Sequence, residues 1–314
     1  MTRAECAACL LGHDRYVILT HRRPDGDTIG SAAALCRGLR SLGRQAWVLR
    51  NPQFTPRFAP YLEGLVCDSI PENACVVSVD IAADSLLPLV EGLPARWALG
   101  IDHHNHAELS ADQLLQEPDK AACGEIIFAL LELMEVPMDK AMAEALYVAL
   151  STDTGCFKYA NTTENTFLVV SRLLALGADI FPINKVFFDT KSMGRLQLEA
   201  YLTEHMELLA DGLVGICTMP QALLEKLAVN EDDIDSISGF PRSVEGVEIG
   251  VMIREVEHGE GKISVRTGRD YDASELCRQL GGGGHAGAAG ASVPGGIEAA
   301  RAAVLEVLKR KGIL

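Results

Sequence analysis

Positive charge is scarce in this chain. Its 314 residues hold 28 lysines and arginines against 43 aspartates and glutamates, a formal net charge of −15. Proteins that track long nucleic acid present a broad basic surface. Here the largest basic cluster is Lys309-Arg310-Lys311 at the C-terminus. Long nucleic acid is therefore not expected as a partner. A phosphate substrate would be met by metals and a few local cations, which favours a small or short one. Long apolar runs are also missing. None reaches the roughly 18 residues of a membrane span, and Met1-Thr-Arg-Ala-Glu-Cys6 lacks a signal-peptide hydrophobic region. A cytoplasmic protein with no membrane partner is expected. Paired cysteines at zinc-site spacing are absent too. Cys6-Ala-Ala-Cys9 has no second pair and follows no strand, so a plain helical reading is preferred to a metal or redox one. The nine cysteines are scattered, and Cys36, Cys75, Cys123, Cys156 and Cys217 lie in apolar surroundings, as reduced thiols of a cytosolic core do. There is no internal repeat and no low-complexity tract.

What is present suits a well-buried globular protein of two domains: 48% of the residues are hydrophobic. Short apolar runs at Tyr16–Thr20, Gln45–Leu49, Cys75–Val79 and Trp97–Ile101 read as strands. Helical spacing covers Asp27–Leu42, Ala122–Met134 and Lys140–Ser151. Strands alternating with helices predict an α/β unit with a mostly parallel sheet. Helical pattern continues over Thr163–Ala210. Beyond it, strands are expected at Leu213–Met219, Val247–Glu255 and Lys262–Thr267, and helices at Ala273–Leu280 and Gly296–Lys309. That is a second, smaller α/β unit joined by a helical linker. The expected division is 1–187, a linker at 188–212, and 213–314. Glu231-Asp-Asp-Ile-Asp235 reads as a solvated loop or helix start.

Four acidic and histidine clusters carry the chemistry: His21-Arg-Arg-Pro-Asp25-Gly-Asp27, Asp80, Asp102-His103-His104, and Asp153 in Asp153-Thr-Gly155. In parallel sheets ligands sit beyond the carboxyl ends of the strands. His21, Asp80 and Asp102-His103-His104 each follow a predicted strand there. Pro24 and Gly26 force a tight turn that points Asp25 and Asp27 at the same space. One aspartate in such a turn would be a helix cap; two aspartates and a histidine are harder to explain structurally. Asp80 alone would read equally well as an N-cap. Beside the first cluster it is the best-placed bridge between two cations. His103 and His104 are adjacent and point differently, so one can bind metal while the other faces substrate. Asp153 ends a helix, where the macrodipole disfavours a carboxylate; a cation beside it would remove the conflict. The mixed imidazole and carboxylate set suits Mn²⁺ or Co²⁺ better than Mg²⁺. Such a dinuclear site clamps a phosphoryl oxygen and generates hydroxide at neutral pH.

In the second unit, Gly281-Gly-Gly-Gly284 allows backbone N–H groups to converge on an anion, and His285 follows. A glycine run by itself is more often a flexible linker. In Lys262-Ile-Ser-Val-Arg266 the period of two puts Ile263 and Val265 on one face and Ser264 and Arg266 on the other. Arg266 is then a candidate phosphate clamp, because a guanidinium forks onto phosphate oxygens.

These motifs, in this order, resemble the DHH phosphoesterase family, with a DHH-associated domain following through Gly281-Gly-Gly-Gly-His285-Ala-Gly-Ala-Ala-Gly290. The resemblance covers nearly the whole chain. Size and layout are similar to the bacterial members that degrade very short oligoribonucleotides and dephosphorylate 3′-phosphoadenosine 5′-phosphate (pAp). The resemblance implies two metal ions, Mn²⁺ before Co²⁺ or Mg²⁺. One would take His21, Asp25 and Asp80, the other Asp27, Asp80, His103 and Asp153. His104 would contact the scissile phosphate, Asp80 would bridge, and Asp102 would orient the motif from behind. Arg266, Gly282, Gly283, Gly284 and His285 would hold substrate. Short RNA oligonucleotides and small nucleotides are the implied partners, and a homodimer is common in the family. Relatives hydrolyse cyclic di-AMP or its linear product pApA, so a cyclic di-AMP phosphodiesterase is an alternative. A manganese inorganic pyrophosphatase is another, although pyrophosphate needs no base or ribose pocket. A non-catalytic nucleotide-binding protein is a third, and the full ligand set speaks against it.

Overall fold

The computed structural model describes residues 1–234, 237–256 and 259–314; Asp235 of the acidic run lies outside them. The chain divides into two compact units, Met1–Thr190 and Lys191–Leu314.

The first unit is a parallel sheet flanked by helices. Its strands are β1 (Arg15–Leu19), β2 (Gln45–Leu49), β3 (Val66–Cys67), β4 (Cys75–Val79), β5 (Trp97–Asp102) and β6 (Ala111–Gln116), in the order β3-β2-β1-β4-β5-β6. All five pairings are parallel. Its helices are α1 (Arg3–Leu11), α2 (Gly26–Ser41), α3 (Ala59–Leu62), α4 (Cys123–Leu133), α5 (Lys140–Asp153), α6 (Glu164–Ala175) and α7 (Ile180–Asn184). Cys6 and Cys9 both lie on α1, and all nine cysteines are free. β4 is buried at every position, which is why it reads as a continuous apolar run rather than an alternating one. Both edge strands escape the sequence pattern. β3 has two residues, and β6 is Ala-Asp-Gln-Leu-Leu-Gln with most of its residues at least partly exposed. Tyr16, Ile18, Ile29, Val77 and Leu99 are fully buried in the core. Each contributes about 1.5–3 kcal/mol of burial free energy.

This topology places the site. Leu19 pairs with Ser78, and Val79 with Ile101, so β1, β4 and β5 end level with one another. Strand order reverses between β1 and β4, and at such a switch point the chain segments leaving the two strands diverge and open a crevice. Small residues then draw the helices in. A Cβ at Gly30 of α2 would collide with the Ala145 carbonyl oxygen of α5, and one at Gly124 of α4 would lie 2.6 Å from the Ala149 Cβ. This close approach brings the start of α2, the start of α4 and the end of α5 to one place.

The second unit holds α8 (Met193–Glu204), β7 (Glu207–Leu209), β8 (Val214–Met219), α9 (Gln221–Lys226), α10 (Glu231–Ile234), β9 (Ile249–Val256), β10 (Glu260–Thr267), α11 (Ala273–Arg278), β11 (Gly283–His285), β12 (Ala288–Pro294) and α12 (Gly296–Arg310). Its sheet order is β11-β12-β10-β9-β8-β7, and β8 and β9 pair in parallel while the other described pairings are antiparallel. The helical pattern of 163–210 is broken into α6, α7 and α8, with Gly177 in the left-handed region just after α6. The stretch 188–212 contains α8 and β7, both within the second unit. Leu198 and Leu202 of α8 are buried with Cys217, Met219 and Met252. Ala273 and Cys277 of α11 and Val304 and Leu308 of α12 pack with Val214 and Ile216 in a second cluster. β10 alternates as its sequence predicts, with Ile263 and Val265 buried and Ser264 and Arg266 partly exposed.

The glycine run is not the open anion nest expected from composition. The N–H groups of Gly281 and Gly282 donate to the Arg278 and Cys277 carbonyls and terminate α11. Gly283 and Gly284 belong to edge strand β11, paired with Gly290 and Ala289. A Cβ at Gly282 would strike the Gly290 carbonyl, and one at Gly284 would lie 2.6 Å from the Ala288 oxygen. Close backbone approach thus accounts for two of the four glycines.

Candidate metal centre

The site begins with a stitch between β1, β4 and α2. The buried Thr28 hydroxyl donates to the Val79 carbonyl (3.0 Å) and accepts from the His21 N–H (3.3 Å). Asn51, also buried, donates to the His21 carbonyl (2.9 Å). Asp25 caps α2, its carboxylate accepting from the Asp27 and Thr28 amides at 3.0 and 3.2 Å. The same Oδ1 lies 3.4 Å from His21 Nε2. Asp25 is therefore a cap and a member of the cluster together.

Asp27 sits against the N-terminus of α4. It accepts from the Cys123 amide (2.6 Å), the Gly124 amide (2.9 Å) and the Ser31 hydroxyl (3.0 Å). Helix N-termini favour anions, so α4 fixes this carboxylate in a buried position. Asp80 follows β4 with φ 58°, a left-handed backbone that non-glycine residues adopt at a cost. Its Oδ2 lies 3.6 Å from His21 Nε2 and its Oδ1 3.4 Å from His103 Nε2. Asp153 Oδ2 and Asp27 Oδ2 lie 3.6 and 3.7 Å from that same His103 Nε2.

Each histidine presents Nε2 because its Nδ1 is engaged elsewhere. His21 Nδ1 bonds to the Arg22 carbonyl (2.9 Å) and His103 Nδ1 to the Lys120 carbonyl (3.2 Å). An Nδ1–H held by a carbonyl leaves the Nε2 lone pair for a cation. His104 differs: its Nδ1 is bound to Asp102 Oδ1 at 2.8 Å, and Asp102 is fully buried. His104 Nδ1 also lies 3.7 Å from Asp80, but the shorter Asp102 bond commits that nitrogen.

The electrostatics show an excess of anion. Burial, then the charges of Asp27 and Asp25, hold the Asp80 carboxyl well above the usual carboxylate range. Burial also raises Asp27, and burial with the Asp27 charge raises Asp153 to about 7. Burial would lower the His21 imidazole, but Asp25 and Asp80 together bring it up to about 10. His103 and His104 are likewise raised against burial, by Asp27 and Asp153 and by Asp102 respectively. Against the desolvation that would raise it, Asp25 is held at about 2 by His21 and by the Thr28 and Asp27 amides.

These residues fit cations. Asp80 Oδ1 is buried with no hydrogen-bond partner, an expensive state unless an ion supplies one. His21, Asp25 and Asp80 form one group able to hold a metal; Asp27, His103 and Asp153 form another. The seven residues His21, Asp25, Asp27, Asp80, His103, His104 and Asp153 converge within the first unit. Arg266, Gly282, Gly283, Gly284 and His285 lie in the second. There Arg266 pairs with Ala288, and Ala288 with His285, so both side chains share one face of the sheet in one cross-strand row. Arg254, also in the second unit, is paired with Glu231 at 2.9 Å. Thr28, Ser31, Asn51 and Asn161, which donates to the Asp153 carbonyl, were not singled out from sequence. Asn51 carried the clearest signal, an amide placed two residues beyond β2 at the ligand-binding edge of the sheet.

Comparison with known proteins identifies the family. The family model described as DHH family, N-terminal domain, matches residues 15–150, and the DHHA1 domain matches 218–310. The chain is 33% identical over 307 residues to the bifunctional oligoribonuclease and PAP phosphatase NrnA of Thermus thermophilus, covering 95% of this chain and 91% of that one. It is 25% identical to the Bacillus subtilis protein of the same name, with 92% of both chains covered. A solved structure of an exopolyphosphatase-related protein from Bacteroides fragilis superposes with a TM-score of 0.85 at 26% identity, over 98% of this chain and 95% of that one. The chain belongs to the DHH family, with a DHHA1 domain following in sequence.

Proposed function

We infer that this chain is a metal-dependent phosphoesterase that hydrolyses very short oligoribonucleotides and pAp. The observation that carries this reading is Asp80, whose two oxygens face two different imidazoles at 3.6 and 3.4 Å. We assign one ion to His21, Asp25 and Asp80, and the other to Asp27, Asp80, His103 and Asp153. Mn²⁺ is the proposed ion at both, with Co²⁺ or Mg²⁺ as substitutes, since imidazole joins carboxylate in each set. When bound, such a pair polarises the phosphoryl group and supplies a nucleophile at neutral pH. The protein's own groups do the rest. Asp102 holds His104 by Nδ1, so Nε2 is turned to donate to an oxygen of the scissile phosphate. The left-handed backbone at Asp80 and the α4 N-terminus behind Asp27 hold both carboxylates in place before substrate arrives.

Substrate choice is assigned to residues 213–314, with 1–187 as the catalytic domain. Arg266 takes a terminal phosphate, and His285 with Gly282, Gly283 and Gly284 borders the same nucleotide. The shared face of Arg266 and His285 supports this. The names of the Thermus and Bacillus relatives support short RNA and pAp as substrates. Among the described residues no helix is long and apolar enough to cross a membrane. Nine unpaired cysteines support action in a reducing compartment, the cytoplasm.

The test is a set of initial rates in Mn²⁺ with pApA, pAp, cyclic di-AMP and pyrophosphate at equal concentrations. Preference for pApA and pAp is expected. Preference for cyclic di-AMP would make this a signalling phosphodiesterase, and pyrophosphate alone would overturn the proposal.

A further inference from the structure

The segment after Asp153 has an unusual backbone. Gly155, Cys156 and Phe157 are consecutive left-handed residues, with φ of 57°, 57° and 64°. Two of them carry side chains, so the conformation costs free energy and persists only where its surroundings impose it. The surroundings are identifiable. The Cys156 N–H donates to the Ser151 carbonyl (2.7 Å), and those of Lys158 and Tyr159 both donate to the Thr154 carbonyl (3.0 Å). The Phe157 N–H donates to the buried Thr154 hydroxyl (3.0 Å). The Phe157 ring is anchored between Tyr147 and Phe167, at centroid distances of 5.9 and 5.6 Å. Asn161 closes the loop by donating to the Asp153 carbonyl (3.1 Å).

What this turn presents is Tyr159. Its ring lies face-on over Gly155. A Cβ built there would be 2.5 and 2.6 Å from Cε1 and Cε2 and closer still to Cζ, which puts the Cζ end of the ring face over the glycine. Only glycine permits that seat. Yet Tyr159 remains 57% exposed. Phe157, two residues earlier, is tucked inward, while Tyr159 is held outward one hydrogen bond from the residue after Asp153. A flat aromatic surface, supported from beneath and held by the turn that follows Asp153, has the form that unstacked bases use.

We propose that Tyr159 is a stacking platform for a nucleobase of the substrate, setting a preference for base-bearing phosphoesters over base-free ones. This rests on the phosphoesterase reading above. It places a base contact on the catalytic domain itself, in addition to the contacts assigned to residues 213–314.

The test compares wild type, Tyr159→Ala and Tyr159→Phe on pApA and on the same dinucleotide lacking both bases. Tyr159→Ala is expected to raise KM for pApA by roughly 5- to 150-fold, the range of one lost base–aromatic stack. The abasic substrate should show the same KM with both proteins, and Tyr159→Phe should match wild type on pApA. An unchanged KM for pApA, or an equal rise on both substrates, overturns the platform. A turnover-independent measurement separates this failure from that of the enzymatic reading. Metal-free protein titrated into 2-aminopurine riboside phosphate should quench its fluorescence, and Tyr159→Ala should not. Equal quenching by both proteins rejects the platform whatever the activity, and absent hydrolysis by wild type rejects only the enzymatic reading.

Discussion

Nδ1 of His104 lies 2.8 Å from Oδ1 of the fully buried Asp102, so the ring is held in one orientation with Nε2 turned away from the carboxylate. Burial pulls the His104 imidazole down, but this hydrogen bond and the Asp80 charge leave it raised. Asp102→Asn keeps the shape and removes the charge. The expected result is a 10- to 100-fold fall in kcat, the usual effect of a lost orienting partner. Because a protonated His104 is the form that donates to phosphate, the alkaline limb of the kcat profile should move to lower pH. A pH–rate profile checks both; an unshifted limb would detach Asp102 from catalysis.

Asp80→Asn is the sharpest test of the shared carboxylate. Asparagine tolerates the left-handed backbone at this position better than alanine does. Mn²⁺-dependent turnover should fall by more than about 10³-fold, as several kcal/mol of charge stabilisation are lost. The metal-free variant should melt above wild type, since a buried carboxylate raised by its neighbours destabilises the native state when ionised. Calorimetry with and without Mn²⁺ measures this, and a lower metal-free Tm would contradict it.

Metal-free stability should fall as pH rises from 5 to 8. An acid with a raised native pKa ionises earlier in the unfolded chain, so stability is lost between the two values; for Asp153 the window runs from about 4 to about 7. His21, raised to about 10, contributes stability that is complete below about 6.5 and is lost as pH climbs towards 10. Mn²⁺ binds the deprotonated ligands, so its stabilising effect should be larger at pH 8 than at pH 5. At pH 7 binding should release protons, from His21 and from Asp153, whose native forms are raised. Titration calorimetry in buffers of different ionisation enthalpy counts them, and the absence of proton release would argue against these ligands.

Gly30→Ala should reveal how tightly α2 is seated. The added methyl meets the Ala145 carbonyl and lies 2.9 Å from the Ala149 Cβ, and backbone cannot rotate aside as a side chain can. A loss of about 1–3 kcal/mol in unfolding free energy is expected, together with weaker Mn²⁺ binding, because α2 carries Asp27. Denaturant titration measures the first; a neutral effect would mean that the helices separate freely.

Arg266→Ala should weaken hydrolysis of pAp and pApA far more than that of a generic phosphodiester, with a loss of about 1.5–3 kcal/mol for one charge-assisted contact. Equal losses on all substrates would remove Arg266 from substrate selection.

Much of this molecule is local and therefore visible in its sequence. The runs at 16–20, 45–49 and 75–79 are apolar because both faces of a parallel sheet are covered, and that burial is written residue by residue. The candidate metal ligands were readable because they lie at or near strand and helix ends, where α/β sheets collect ligands. The edges were not readable, since β6 carries polar residues that no core demands. Tertiary structure alone decided the rest. Asp27 meets amides 96 and 97 residues away, at Cys123 and Gly124. The Nδ1 partners of His21 and His103 are backbone carbonyls, which leave no mark on residue identity. The glycine run ends α11 and then pairs with Gly290 and Ala289, close backbone approaches that composition does not announce. Tyr159 gained meaning only when the turn after Asp153 laid its ring on Gly155. Composition and period record which residues are buried and which chemistry is present; hydrogen-bond partners and close approaches between distant segments arise only when the chain has folded.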